Sequence, residues 1–356
     1  MSLHNLLNHL RQAPSWESAF DLPVGQPESA AANALKIRYR ALAALTHPDR
    51  NPDCAGEAEE AFKLLQQWYA CAQQQLQRGR DNAAPALTVT TRLHHYVSAG
   101  PPGQGALCDL YSAQVDGESF LLKVVRHGRN NDLLQAEAQA LRQVARALVD
   151  QPVRAHFPTL VEAVQMRDAN GAQRQINILR QEEGYVTLAA VVEKYPNGVA
   201  PADAAWMFNR LLAALGVTHR LGLIHGAVTL DHVLIRPADH NGLLLDWCYS
   251  VPVGAVLKAA NPSYGHDYPP EVFAKAPVTA ATDLFMAARC LVRLLGGDGS
   301  SDSLPPAVPK AMQALLRTCL LPAPHRRAND AWELFDDFQE ILAQHYGARH
   351  FRPFVI

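Results

Sequence analysis

The stretch LTHPDRN, residues 45–51, stands between two runs of helical periodicity. Before it, Leu35, Tyr39 and Leu42 fall on one helix face. After it, Ala58, Phe62, Leu65, Tyr69, Ala72 and Leu76 recur at alternating spacings of four and three. Such rows mark the buried stripe of an amphipathic helix. Two stripes joined by a short loop predict an antiparallel helical hairpin packed through them. His47, Pro48 and Asp49 then occupy the loop at its tip, where Pro48 is tolerated because proline would break a helix. Lys36 and Arg40 lie one turn apart, on a face flanking the apolar one.

The order of these parts resembles the J-domain family over roughly residues 10–80. FDLP (20–23) looks like the end of that family's first helix. A basic second helix, the HPD tripeptide and an apolar third helix follow in the right order. The resemblance implies that His47, Pro48 and Asp49, with Lys36, Arg38 and Arg40, contact a DnaK-type heat-shock chaperone and stimulate its ATPase. A tripeptide alone recurs by chance; its place between two phased helices carries the reading, against the plainer one of an unrelated hairpin. Neither a Gly/Phe-rich segment nor a CxxCxGxG repeat occurs. Choice of a client protein, which the sequence does not name, therefore falls to the rest of the chain.

Length and composition fit that division. The chain has 356 residues, 48% hydrophobic and 19% charged, which favours two globular domains. A net charge of −2 supplies no basic field for nucleic acid or an anionic membrane. The six cysteines, at 54, 71, 108, 248, 290 and 319, form no CxxC pair, so reduced thiols and a cytoplasmic location are expected. Leu3, Leu6, Leu7 and Leu10 recur at helical spacing instead of forming a leader, and no apolar run is long enough to span a bilayer.

DNAAPA (81–86) interrupts the helical pattern. The expected division is a J-domain at 1–82, a linker at 83–87, a second domain at 88–345 and a tail at 346–356. In the second domain LTVTTRL (87–93), CDLYSAQV (108–115), SFLLKVV (119–125) and INILR (176–180) read as strands, with a turn at Asp116-Gly117 and a helix at about 131–149. From Pro201 the pattern is mostly helical, with short strands near VLI (233–235) and LLLDW (243–247). The fold class is α+β: an all-α hairpin domain followed by a two-lobed domain.

Several motifs of this second part resemble, in order, those of protein kinases. LLKVV (121–125) offers Lys123 and NDLLQAEAQALRQV (131–144) offers Glu137. LIHGAVTLDHVLI (223–235) lines up with the catalytic loop and LLLDWC (243–248) with the DFG strand. YPPE (268–271) stands for APE, TDLFMAARCLVRLLGG (282–297) for the buried helix opened by an aspartate, and PHRRAND (324–330) for the arginine segment. The resemblance implies a kinase-like fold over residues 88–345 in which Lys123 and Glu137 hold ATP, Asp246 holds magnesium, Asp283 is structural and Glu271 pairs with Arg327.

The departures bear on function. Where the family reads HRDxKxxN, this chain has His225, Gly226, Ala227, Val228, Thr229, Leu230, Asp231 and His232. The base aspartate becomes Ala227. The metal-holding asparagine becomes His232, a poor ligand for magnesium, which prefers oxygen. Loss of a general base typically costs about 10²–10⁴-fold. The glycine loop reads G-x-x-G-x-G, with Gly103 and Gly105, and serves either as a phosphate cradle or as a plain hairpin turn. Lys123, Glu137 and Asp246 form either a retained nucleotide pocket or a buried ion-pair cluster. The sequence thus reads as a J-domain fused to a pseudokinase. The alternatives are an atypical kinase or nucleotidyl transferase, and a structural subunit of an assembly. The tail HFRPFVI (350–356) is suited to a partner groove or to its own domain.

Overall fold

The computed structural model describes residues 3–23, 28–46, 51, 54–83, 86–168, 171–298, 303–348 and 351–356. It divides into two units, Met1–Thr88 with Ser98–Pro102, and Val89–Val97 with Gly103–Ile356.

In the first unit the leucine spacing of the N-terminus becomes helix α1 (Leu3–Gln12), and Leu6 and Leu10 enter the core. A one-turn helix, α2 (Trp16–Ala19), follows; the Ser15 hydroxyl caps it by accepting the Ser18 amide at 3.3 Å. FDLP follows directly: Phe20 is the C-cap of α2, its amide bonded to the Trp16 carbonyl at 3.1 Å, so the motif closes this one-turn helix and not α1. Helices α3 (Glu28–Thr46) and α4 (Ala55–Ala83) are the predicted pair. Leu35 and Leu42 of the first meet Leu65 and Ala72 of the second, around Trp16 and Phe20. Tyr39 stacks on Tyr69, ring centroids 4.0 Å apart. The Trp68 indole donates to the Leu10 carbonyl at 2.9 Å, which ties α4 to the end of α1.

The second unit opens with strands β1 (Thr88–Thr90) and β2 (His95–Val97), which pair with each other. Strands β3 (Gly103–Gln104), β4 (Cys108–Val115) and β5 (Glu118–Val125) follow. Asp116 and Gly117 join β4 to β5 with φ of 53° and 82°, the positive pair that a two-residue hairpin of matching twist requires. Helix α5 (Asn131–Ala147) comes next, then β6 (Leu160–Arg167) and β7 (Gln173–Arg180). The five strands form one antiparallel sheet in the order β3-β4-β5-β7-β6. The sequence reading missed β6: its residues are only half-buried and show no clean alternation.

The chain continues through β8 (Val186–Thr187), α6 (Leu188–Lys194), α7 (Pro201–Arg220), β9 (Leu223–Ile224), β10 (Val233–Arg236), β11 (Asn241–Leu244) and β12 (Val251–Pro252). Helices α8 (Pro270–Phe273), α9 (Ala280–Leu294), α10 (Lys310–Cys319) and α11 (Ala331–Tyr346) complete it. Strand β10 lies between β11 and β8 in a small antiparallel sheet, and β9 pairs with β12. Leu211 and Leu215 of α7, Leu284 and Leu291 of α9, and Phe338 of α11 share the core. The C-terminal tail packs on its own unit: Phe354 meets Tyr195 and Trp206, and the Tyr195 hydroxyl donates to the Val355 carbonyl at 2.5 Å. Among the described residues, no helix is long and apolar enough to cross a membrane.

Candidate functional site

Strand β5 is buried on both faces near its end, yet carries a lysine. Lys123 Nζ donates to Glu137 Oε1 of α5 and to Asp246 Oδ1 just beyond β11, each at 2.6 Å. Glu137 Oε2 accepts the Asn177 amide of β7 at 2.8 Å, so sheet and helix are locked to the same carboxylate. Burial opposes the ammonium charge, but Asp246 and Glu137 outweigh it and hold the Lys123 pKa well above its ordinary value. Asp246 adopts a left-handed backbone, φ 64° and ψ 57°, which aspartate tolerates better than most residues. Burial opposes its charge too; Lys123 and His232 prevail and keep it well below the usual carboxylate range.

His232 closes the other side of Asp246. Its Nε2 lies 3.1 Å from Asp246 Oδ2, and its Nδ1 lies 2.8 Å from the Ala227 carbonyl oxygen. Both partners can only accept, an arrangement that favours a hydrogen on each ring nitrogen and so the charged ring. Burial disfavours that charge, while the hydrogen bond and charge of Asp246 raise the pKa above its ordinary value. The Cys248 thiol also donates to Asp246 Oδ1, at 3.1 Å. Burial holds the thiols of Cys108, at about 12, and Cys248 far from ionisation.

This donor set does not fit the magnesium ion that the kinase resemblance implies. Lys123 and His232 engage the two Asp246 oxygens, and the second ligand position carries an imidazole ring in place of an oxygen. Among the described residues, no group of three or more His, Cys, Asp or Glu side chains could hold a metal.

The loop before His232 is held from behind. Asp283, wholly buried on α9, accepts the His225 and Gly226 amides at 2.8 Å each, and His219 Nε2 lies 3.0 Å from it. His225 Nε2 donates to the Leu245 carbonyl at 2.9 Å, and its Nδ1 accepts the Ala227 amide at 3.3 Å. A second proton would face that amide; with burial as the main cause, the His225 pKa falls to about 4. Gly226 has φ 75°, and a Cβ there would stand 2.6 Å from Leu257. Ala227 is fully buried among Cys108, Leu133, Leu134, Cys248 and Tyr249. Asp231 is exposed and accepts the Tyr264 hydroxyl.

The glycines do not form an open cradle. Gly103 lies in β3, paired with Leu110, and the Gly105 amide donates to the Cys108 carbonyl at 2.9 Å. Arg126 clasps the turn, donating to the Gly105 and Cys108 carbonyls and to Asp109. On α8, Glu271 meets Arg327 in a buried bidentate pair. The sequence reading missed Asn177, Arg126 and Cys248; a lone asparagine inside the apolar run INILR was the available signal for the first.

In the first unit Lys36 and Arg40 are exposed on α3. Arg38 does not share their face: its Nη2 bonds Asp21 at 2.5 Å and its Nε the Phe20 carbonyl at 3.2 Å. His47, Pro48 and Asp49 lie outside the described residues.

The family model of the DnaJ domain matches residues 24–79. The N-terminal unit thus carries a J-domain, the module through which such proteins act as co-chaperones of Hsp70 chaperones. The match spans α3, the HPD tripeptide and most of α4, and leaves out α1, α2 and FDLP. No curated protein matches the chain.

Proposed function

We propose that the chain is an Hsp70 co-chaperone that delivers whatever its second unit holds. The observation that carries this is the DnaJ-domain match across an intact His47-Pro48-Asp49, with Lys36 and Arg40 exposed on the preceding helix. Arg38 is better read as a brace for Asp21 than as a contact residue.

The second unit is, on this reading, a pseudokinase used for client or partner recognition. What supports it is the set Lys123–Glu137–Asp246, Asp283 beneath the loop, and the Glu271–Arg327 pair, each where the kinase resemblance puts it. Lys123 and His232 offer positive charge to the phosphates of ATP or a related nucleotide. Phosphoryl transfer depends on a positioned base and on metal. Ala227 supplies no base, and His232 occupies the metal side of Asp246, so binding and chemistry come apart. Asp231 is hydrogen-bonded to Tyr264 and gives no support to a rearranged enzyme.

The test is steady-state ATP hydrolysis by a DnaK-type chaperone with the full chain and with His47→Gln. Stimulation by the wild type alone supports the proposal; equal rates with both contradict it. A radiolabel assay with ATP should show no transfer to protein.

A further inference from the structure

We propose that the seat of the C-terminal tail on the second unit is a recognition groove for an extended peptide. The peptide carries two aromatic side chains three residues apart, with a cation between them. Residues 351–356 are the groove's own, exchangeable occupant. The proposal rests on the reading that the second unit holds a client or partner, and it names where and with what chemistry.

The groove starts from a built platform. His240 stands in the turn between β10 and β11 with φ 56°. Arg210 of α7 fixes that turn by donating Nε–H to the His240 carbonyl at 2.8 Å. The His240 ring then stacks on Trp206, one turn earlier on α7, with centroids 4.0 Å apart and planes within 6°. Two flat rings locked in this way offer a preorganised surface to a third. Residues 351–356 lie across it without secondary structure. Phe351 places its ring 4.4 Å from His240, and Phe354 meets Trp206 at 6.2 Å and Tyr195 at 5.7 Å. Between them, Arg352 Nε lies 3.4 Å from Asp203 Oδ1, whose side chain is 14% exposed. Pro353 keeps the residue before it extended. The groove thus reads aromatic, cation, spacer, aromatic.

Three features make the tail a replaceable occupant. Its grip is slight: Phe351 is 57% exposed and Val355 71%. Among the described residues, no backbone–backbone hydrogen bond ties residues 351–356 to the unit. It also fills the groove only in part. A cavity of about 430 Å³ runs beside Phe351 and Arg352, between α7 and α11, lined by Asn209, Phe335, Leu342 and Tyr346. That is the size of a ligand site. Finally, among the described residues, neither Trp206 Nε1 nor His240 Nε2 finds a hydrogen-bond partner, although both are buried and His240 is 8% exposed. Buried polar atoms without partners cost free energy, which a segment offering a carbonyl to the indole N–H recovers. Extended segments showing two aromatic side chains are what incompletely folded chains present, since folded ones bury such residues.

The experiment uses the full chain and, as probe, a fluorescent peptide of sequence FRPFVI, that of residues 351–356, followed by anisotropy. A tethered tail competes at an effective concentration of roughly millimolar size, so the wild type should bind the probe weakly. Phe351→Ala with Phe354→Ala should tighten binding by about tenfold or more. Arg352→Asp, a like charge set against Asp203, should act in the same direction and decides the matter if the double variant does not fold. A peptide with tyrosine and tryptophan for the phenylalanines and lysine for the arginine should displace the probe. One with its two aromatic residues side by side should do so about tenfold less well. No tightening in a folded variant, or equal displacement by the two competitors, overturns the proposal. So does a wild-type dimer in sedimentation that the Phe351→Ala, Phe354→Ala variant loses, because the occupant is then a second copy's tail. The assay contains no Hsp70 chaperone. Its failure leaves the co-chaperone reading to the ATPase test, and failure of that test leaves the groove standing.

Discussion

The guanidinium of Arg327 grips the carboxylate of Glu271 with two parallel bonds, Nη1 to Oε1 at 2.6 Å and Nη2 to Oε2 at 3.0 Å, out of contact with water. Arg327 also donates to the Leu321 and Pro322 carbonyls and lies over the Phe285 ring, while Glu271 accepts the Thr282 hydroxyl at 3.1 Å. Helix α8, helix α9 and the segment before α11 therefore meet at one charge pair. Arg327→Ala strands a buried carboxylate, and such losses cost about 3–5 kcal/mol. In a chain of this size that lowers the Tm by roughly 10 °C. Thermal unfolding followed by circular dichroism checks it; an unmoved Tm would contradict the role given to the pair.

On the proposed pseudokinase reading, an aspartate at position 227 should not confer catalysis. Ala227 is fully buried among apolar side chains, and the residue before it is a glycine whose Cβ position is filled by Leu257. Ala227→Asp places an unpaired carboxylate there, which costs several kcal/mol unless it stays protonated. The expected outcome is a destabilised protein without transfer activity, read by urea unfolding and the radiolabel assay. A stable, active variant would show that the loop is open to a base.

Much of this site was legible in the sequence, because it is built from charged residues at motif spacings. Lys123, Glu137, Asp246, Asp283, Glu271 and Arg327 stand out by residue type and position in the sequence, and the structure joins them into two clusters and a loop brace. His232 was legible only as a poor metal ligand. Its bond to Asp246 depends on the left-handed turn at Asp246 and on the Ala227 carbonyl, and neither leaves a trace in residue order. The glycine loop stood open between cradle and turn for a similar reason: composition shows permissive residues, but the Gly105–Cys108 turn and the Arg126 clasp are set by pairing of β3 with β4. In the first unit the two apolar rows were readable from their period. The one-turn helix α2 was not, since four residues carry too little periodicity.

Stability should fall in mild acid through His225. Its pKa is about 4 in the folded chain against an ordinary 6.5, so the folded state binds fewer protons in between. Its contribution is complete above pH 6.5 and is lost progressively as the pH falls toward about 4, amounting to ~3 kcal/mol. His232, whose pKa is raised, acts with the opposite sign and favours folding on the acid side. Urea unfolding at about pH 7 and about pH 5 should therefore be compared with His225→Asn. The wild type should lose more stability than the variant over that interval; equal losses would contradict the neutral, buried ring.

The central claim is that the first unit drives an Hsp70 chaperone. It is tested most directly by single-turnover hydrolysis of ATP already bound to a DnaK-type chaperone, mixed with the full chain. The account predicts acceleration by the wild type, its loss in Asp49→Asn, and weakening in a Lys36→Ala, Arg40→Ala double variant whose helicity is unchanged. No acceleration by the wild type, or the same acceleration by Asp49→Asn, would contradict it.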